Sequence, residues 1–438
     1  MTLQREIQDI YLKYINLPDF ENSYSTYFNE IQKAGDEVSS DPLPSMFHPV
    51  IISQKDLQSL KQQSEQMAVI LKKTIQLYLE NEEVQKYLDF SEELHEWIMA
   101  DPGYDVSVPI SRYDGFWDGK IIKFCEFNTD GTSGMDEIAT LDKAFFDTKI
   151  GEQFKEEYSP ENFDLKKATL EVLLQSYKSY GGNKKPNIAI TDFLESATNS
   201  EFRSLKNYFI EQGYNTEICD IKKLKFKGKE LWHNDFKIDL IYRRAVTDEL
   251  WQYRKDVKVF IEACKKRTVC VAGPLRSQII HSKLIFTFLC DPKSQKYFTE
   301  EENKFLQEHI PWTAKLSDDP ELINKIVKNK DDFFIKPHNC YGCEGVYCGA
   351  DTPVEEWKTI INDLLASNPD CYLVQEKIDI PRENYIVDSD GNTNEFNVNI
   401  GPYVFNNTLV GFYTRVSINN VITTNRQAQL LPFFVVKE

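Results

Sequence analysis

The stretch "SRYDGFWDGKIIKFCEFNTDG", Ser111 to Gly131, holds two alternating strand-like runs joined across Trp117-Asp118-Gly119. Asp-Gly between two such runs is a hairpin signal. Side chains alternate along a strand, so Phe124, Glu126 and Asn128 share one face of the second run, and Arg112 and Asp114 share one face of the first. Asp130 continues the series of oxygen-bearing side chains at every second position. Whether the two polar faces coincide depends on the turn. A two-residue loop at Asp118-Gly119 sets Arg112 across from Cys125 and separates Asp114 from Glu126. A three-residue loop, Asp118-Gly119-Lys120, sets Arg112 across from Glu126 and Asp114 across from Phe124. The expectation is therefore an odd loop, with two carboxylates, an amide and a guanidinium on one surface.

Such a surface has two readings. Asp114, Glu126 and the Asn128 amide are hard oxygen ligands with room left for water and phosphate, which is how magnesium is held beside a nucleotide. Arg112 would then meet phosphate or carboxylate with a forked pair of hydrogen bonds. The other reading is a solvated strand end with an ordinary ion pair, nearly neutral in energy.

Working outward, the chain has 438 residues, 41% of them hydrophobic, enough for two or more packed α/β modules. Its 69 acidic residues against 51 basic ones give a net charge of −18, which argues against nucleic acid or anionic membrane as partner. No apolar run approaches the roughly 20 residues of a membrane span, and MTLQREIQDI has neither the basic start nor the apolar centre of a signal peptide. The expected address is the cytosol. Nine cysteines, an odd number, suit a reducing compartment and read as thiols. Cys340, Cys343 and Cys348 beside His338 could hold a metal, but zinc sites gather four ligands in paired spacings that this stretch lacks.

Residues 1–103 read as mostly helical. Ser53 and Asp56 form a capping box ahead of a helix whose Leu57, Leu60, Met67, Ile70, Leu71 and Tyr78 recur at helical spacing. After the hairpin, "NIAITDF" and "IDLIYRRAV" are apolar strands separated by helical patterns, the mark of a mostly parallel sheet. The charged stretch "LSDDPELINKIVKNKDD" reads as a junction, beyond which "FFIKPHNCYGCEGVYCG" opens a region rich in strands. There an apolar strand delivers Lys336, Pro337 stops the ladder, and Gly342 and Gly345 permit a tight loop whose NH groups can approach phosphate. "CYLVQEKID" ends a strand in Gln375 and Glu376, and "TLVGFYTRVS" carries Arg415 on a strand. Each of these alone is equally an ordinary turn, strand end or surface arginine.

In this order the segments resemble the circularly permuted ATP-grasp ligases, in particular the synthetase part of glutathionylspermidine synthetase and its bacterial relatives. The resemblance runs from about Pro109 to about Ser417. It implies an α/β fold: a helical N-terminal region (1–103), a metal-binding hairpin and following helices of the ATP-grasp core (104–182), a parallel pre-ATP-grasp α/β domain (183–290), and an ATP-binding lid with the rest of the core (291–438). It implies that Asp114, Glu126 and Asn128 bind Mg2+ and that Arg112 steadies an acyl phosphate. Lys283 and Lys336 would hold ATP phosphates, with Gly342 and Gly345 in the lid; Gln375 and Glu376 would frame the adenosine, and Arg415 would face the reacting phosphoryl group. The activity implied is ADP-forming, magnesium-dependent joining of a small-molecule carboxylate to an amine. A kinase using the same nucleotide site, or a silent ATP-binding protein, remains the alternative. Cys343 stands where relatives often carry glycine, and no amidase module precedes the synthetase part, so polyamine and glutathione are not implied as substrates.

Overall fold

The computed structural model describes residues 10–36, 43–106, 108–195, 199–339, 345–367, 371–379, 382–423 and 427–437. The N-terminal region is built on two long helices, Phe20–Asp36 and Gln54–Glu80. Ser53 caps the second as expected: its Oγ accepts from the Asp56 amide at 3.1 Å, and Asp56 accepts in return from the Ser53 amide at 3.4 Å. Leu60, Met67, Ile70, Leu71 and Tyr78 are buried along that helix. Just before it lies a strand that the helical reading passed over, β1 (Val50–Ser53), which pairs in parallel with the last strand of the chain, Phe433–Val436.

The hairpin follows as β2 (Ile110–Trp117) and β3 (Ile122–Asn128), then three helices between Met135 and Ser179. A parallel unit comes next. In it β4 (Ile188–Asp192) and β5 (Thr216–Asp220) join β9 (Leu240–Arg243) and β10 (Cys270–Ala272) in the order β10-β9-β4-β5, with every pairing parallel. β4 and β9 are buried almost throughout, as strands covered on both faces must be. Between β5 and β9 stands an antiparallel meander that the sequence reading did not foresee, β6 (Leu224–Lys227), β7 (Glu230–His233) and β8 (Phe236–Ile238).

A smaller body carries β11 (Thr313–Lys315), β12 (Phe333–Pro337), β13 (Tyr347–Cys348) and β14 (Tyr372–Glu376) in the antiparallel order β11-β14-β12-β13. It has its own core, in which Ile326, Phe333, Ile335, Trp357 and Val374 meet. The stretch read as a junction lies inside this body, since β11 precedes it and Ile326 of its helix is part of that core. The chain then returns with β15 (Glu383–Ile386), β16 (Thr393–Phe405), β17 (Thr408–Ser417), β18 (Gln429–Leu431) and β19 (Phe433–Val436). The hairpin inserts beside these late strands to form one antiparallel sheet, β18-β17-β16-β2-β3, with β15 on the edge of β16. Among the described residues no helix is long and apolar enough to cross a membrane.

Candidate active site

The turn of the hairpin overturns the expected odd loop. It has four residues, 118 to 121, with Trp117 opposite Ile122, Asp114 opposite Glu126 and Arg112 opposite Asn128. Asp118 is the cause: its Oδ1 accepts from the Lys120 and Ile121 amides at 2.8 and 2.7 Å, which holds Ile121 in the turn and out of the ladder. Gly119 takes the positive φ of +94° that this turn requires. An even loop by itself would throw Asp114 and Glu126 to opposite faces. A β-bulge between Asp114 and Gly115 absorbs Cys125 as an extra residue and restores the parity.

Asp114 is almost fully buried and is the hub of the site. It accepts from Arg112 Nε at 2.8 Å, from Asn128 Nδ2 at 3.1 Å and from Arg415 Nη2 at 2.7 Å. Burial works against the charge of Arg112 and Arg415, but Asp114 outweighs it and raises both guanidinium pKa values above the ordinary one. Arg112 is further fixed by the Ser133 carbonyl at 3.0 Å and by the Tyr413 ring, 4.4 Å from its guanidinium. Glu126 pairs with Lys283 Nζ at 2.8 Å. Burial alone would raise this carboxyl, yet Lys283, with Lys336 and Arg415, overrides it and brings the pKa down to about 2.

Four adjacent strands, β17, β16, β2 and β3, thus make the floor. β16 supplies residues that the sequence reading missed: Asn399 Oδ1 accepts from Arg415 Nη2 at 2.9 Å, and Gly401 lies so close beneath the pair that an added Cβ would meet Asp114 Oδ1 at 2.7 Å. The available signal was the alternation of Asn397, Asn399 and Gly401 with Phe396, Val398 and Ile400. Behind them Tyr413 donates to Glu137 and Tyr403 donates to the Ser133 carbonyl.

The roof comes from the smaller body. Lys336 on β12 donates to Gln375 Oε1 on β14 at 2.7 Å, and the Glu376 amide donates to the Trp312 carbonyl at 2.8 Å. Lys283, at the start of the helix Leu284–Cys290, joins floor to roof: its side chain holds Glu126 and its amide donates to the His338 carbonyl at 3.0 Å. Between floor and roof is a cavity of about 210 Å³ lined by Asp114, Glu126, Lys283, Lys336, Gln375, Glu376 and Arg415. Arg112 and Asn128 stand behind Asp114 and are not among its lining residues. Gly345 begins the return to β13 with φ +67°, while Gly342, Cys340 and Cys343 lie outside the described residues. Cys125 also faces the cavity, its thiol pushed up to about 12 by burial. The described cysteines are all unpaired, as expected of thiols.

Asp130 does not join the polar face. It is fully buried against Arg243, accepts from the Thr247 amide and meets Ser277 Oγ at 3.1 Å, so it clamps the end of the hairpin to the parallel unit. No strand period continues past Asn128 to keep it on the face of Glu126.

Two carboxylates and an amide suit a hard divalent cation in kind. Among the described residues no group of three or more His, Cys, Asp or Glu could hold a metal. Both carboxylates are at present engaged by cations, Lys283 on Glu126 and Arg415 on Asp114. Arg415 lines the cavity, and its buried Nε has no hydrogen-bond partner.

The fold is an ATP-grasp-type α/β fold in circularly permuted order, with the core hairpin early and the smaller sheet later in the chain. No family model and no curated protein matches the sequence. Among solved structures the chain is similar to a glutathione synthetase-like effector from Globodera pallida in apo form, with a TM-score of 0.61 and 11% identity over 96% of this chain and 99% of that one. A candidate gamma-glutamylcysteine synthetase from Methylobacillus flagellatus KT matches with a TM-score of 0.44 and 11% identity over 84% and 87% of the two chains.

Proposed function

We propose that the protein is an ATP- and magnesium-dependent carboxylate–amine ligase, resembling the glutathionylspermidine synthetase type, that works through an acyl phosphate and releases ADP. The carrying observation is the single cavity in which Asp114, Glu126 and Arg415 of the antiparallel sheet meet Lys283, Lys336, Gln375 and Glu376. Gln375 and Glu376 end a strand where an adenosine would lie, and Lys283 and Lys336 bring positive charge for its phosphates. Magnesium at Asp114 and Glu126, with the Asn128 amide turned from Asp114 to present its oxygen, would neutralise charge on the transferring phosphoryl group. For that, Lys283 and Arg415 must release their carboxylates, and phosphate oxygens are acceptors to which both can turn. Arg112, held by Asp114, Ser133 and Tyr413, keeps its place behind Asp114; contact with the acyl phosphate and the tetrahedral species would require one of its N–H groups to turn from these partners toward the cavity.

In the first step a substrate carboxylate oxygen attacks the γ-phosphorus as the bond to ADP breaks. An amine nitrogen then attacks the acyl carbon, the C–O bond to phosphate breaks, and the nitrogen loses a proton. The glutathione synthetase-like description of the structural relative supports a peptide-type C–N bond as the product class. The net charge of −18 favours small molecules over nucleic acid or anionic membrane as partners.

The test is incubation of the protein with ATP, magnesium and a small-molecule extract, followed by mass spectrometry. ADP together with a new condensed product is expected. Asp114→Asn and Glu126→Gln should each lower turnover at least about 100-fold, since a lost metal ligand forfeits several kcal/mol in the transition state. ADP with a phosphorylated acceptor and no C–N product would make the protein a kinase instead. ATP bound without turnover would make it a nucleotide-binding protein.

A further inference from the structure

A second cavity, of about 410 Å³, lies against the opposite face of β16, within the size range of small-molecule pockets. The helix Phe20–Asp36, residues 45–47 and strands β15, β16 and β18 wall it. Among the described residues that line it none is charged, in a chain where 27% of residues are. Phe28, Phe47 and Phe396 give it aromatic walls, and Ser45, Asn394 and Gln429 give it hydrogen-bonding edges. The Ser45 and Tyr27 hydroxyls are buried near each other, and neither makes a hydrogen bond of normal geometry. A buried polar group left in this state is costly, and a ligand that bonds it removes that cost.

The two cavities share their structural parts. On β16, Asn394 and Phe396 face the rear cavity while Asn397 and Asn399 line the front one. The segment after β17 is divided in the same way, Ile418 to the rear and Asn420, Val421 and Ile422 to the front. Asn420 also donates to Asp351 at 2.6 Å and so ties this segment to the body that roofs the front cavity. A molecule seated against Ile418 therefore bears on a short segment that touches both cavities and the roof.

We propose that the rear cavity is an effector site for a neutral, flat aromatic molecule with one hydrogen-bonding edge, and that its occupancy changes nucleotide affinity through residues 418–422. An ionised ligand is disfavoured because it would be desolvated with no partner charge. The coupling rests on the nucleotide reading of the front cavity; the binding does not.

Benzamide and benzoate, similar in shape and different in charge, are the probes. In saturation-transfer NMR on the full chain, benzamide is expected to bind, and benzoate at least about tenfold more weakly. Ile418→Trp, at a position 53% exposed, puts bulk into the cavity and should weaken benzamide about tenfold with the thermal midpoint unchanged. Asn394→Arg, at an exposed rim position, should reverse the preference and favour benzoate. Equal binding of the two probes, or benzamide affinity untouched by Ile418→Trp, overturns the site. The ATP dissociation constant, measured by calorimetry with and without saturating benzamide, should shift about threefold; the same value in both overturns the coupling. A chain that binds no ATP overturns the ligase reading and the coupling together, and the benzamide comparison then decides the cavity alone.

Discussion

Glu126 stands between burial, which favours its neutral form, and Lys283, which favours its charge and wins. Its folded pKa of about 2 lies below the ordinary 4.5, so the ionised carboxylate contributes stability that is fully present above pH 4.5 and is lost as pH falls toward 2. Glu126→Gln should flatten that part of the stability curve, as measured by urea unfolding at a series of pH values; a curve of unchanged slope would show that the Lys283 pair is energetically idle. Gly401 is a second residue with a clear physical demand. The β carbon of Gly401→Ala would lie 2.7 Å from Asp114 Oδ1 and 3.0 Å from Arg112 Cδ, so the variant should lose about 1–3 kcal/mol and weaken magnesium–nucleotide binding. Unfolding and calorimetry on the same sample check both effects.

At the scale of the element, the hairpin shows how turn and strand share one problem. Asp118 fixes a four-residue turn, and the bulge at Cys125 corrects the parity that this turn upsets. Asp118→Ala should cost about 1–2 kcal/mol from two lost hydrogen bonds while the Asp114–Arg415 contact survives, because the bulge lies on the far side of the intervening ladder. Thermal unfolding together with a crystal structure of the variant is the measurement. The hairpin's far end is anchored differently, by the fully buried pair of Asp130 and Arg243. Arg243→Met leaves the Asp130 carboxylate without its partner in the interior and should cost about 3–5 kcal/mol, read from urea denaturation. A loss below about 1 kcal/mol would mean that Thr247 and Ser277 suffice to hold it.

The N-terminal region is joined to the last strand of the chain. β1 and β19 pair in parallel, and Phe433, Phe434, Val435 and Val436 are all buried. Burial of each such side chain stabilises by about 1.5–3 kcal/mol, together comparable to the whole stability of a typical domain. Removal of residues 433–438 should therefore leave the N-terminal region loosely docked, with amide exchange in Val50–Ser53 rising toward that of the unfolded chain in mass-spectrometric measurements. Protection that persists there would mean that the helix Gln54–Glu80 docks without the strand.

Local patterns made a large part of this legible. The capping box at Ser53, the buried stripe of the helix Gln54–Glu80, the apolar strands β4 and β9, and the polar alternation on β2 and β3 depend on neighbours within a few residues, and the sequence by itself determined them. The order of these motifs carried the fold. Tertiary structure decided what lies beyond that reach. It chose the bulge over an odd loop, turned Asp130 away to Arg243, brought Asn399 and Gly401 beneath Asp114 from nearly 300 residues along the chain, and paired β1 with β19. It also set a cation on each carboxylate of the site, Arg415 on Asp114 and Lys283 on Glu126. Strand alternation says which side a residue takes relative to its neighbours, but which strand comes to lie alongside is settled by packing of the whole chain.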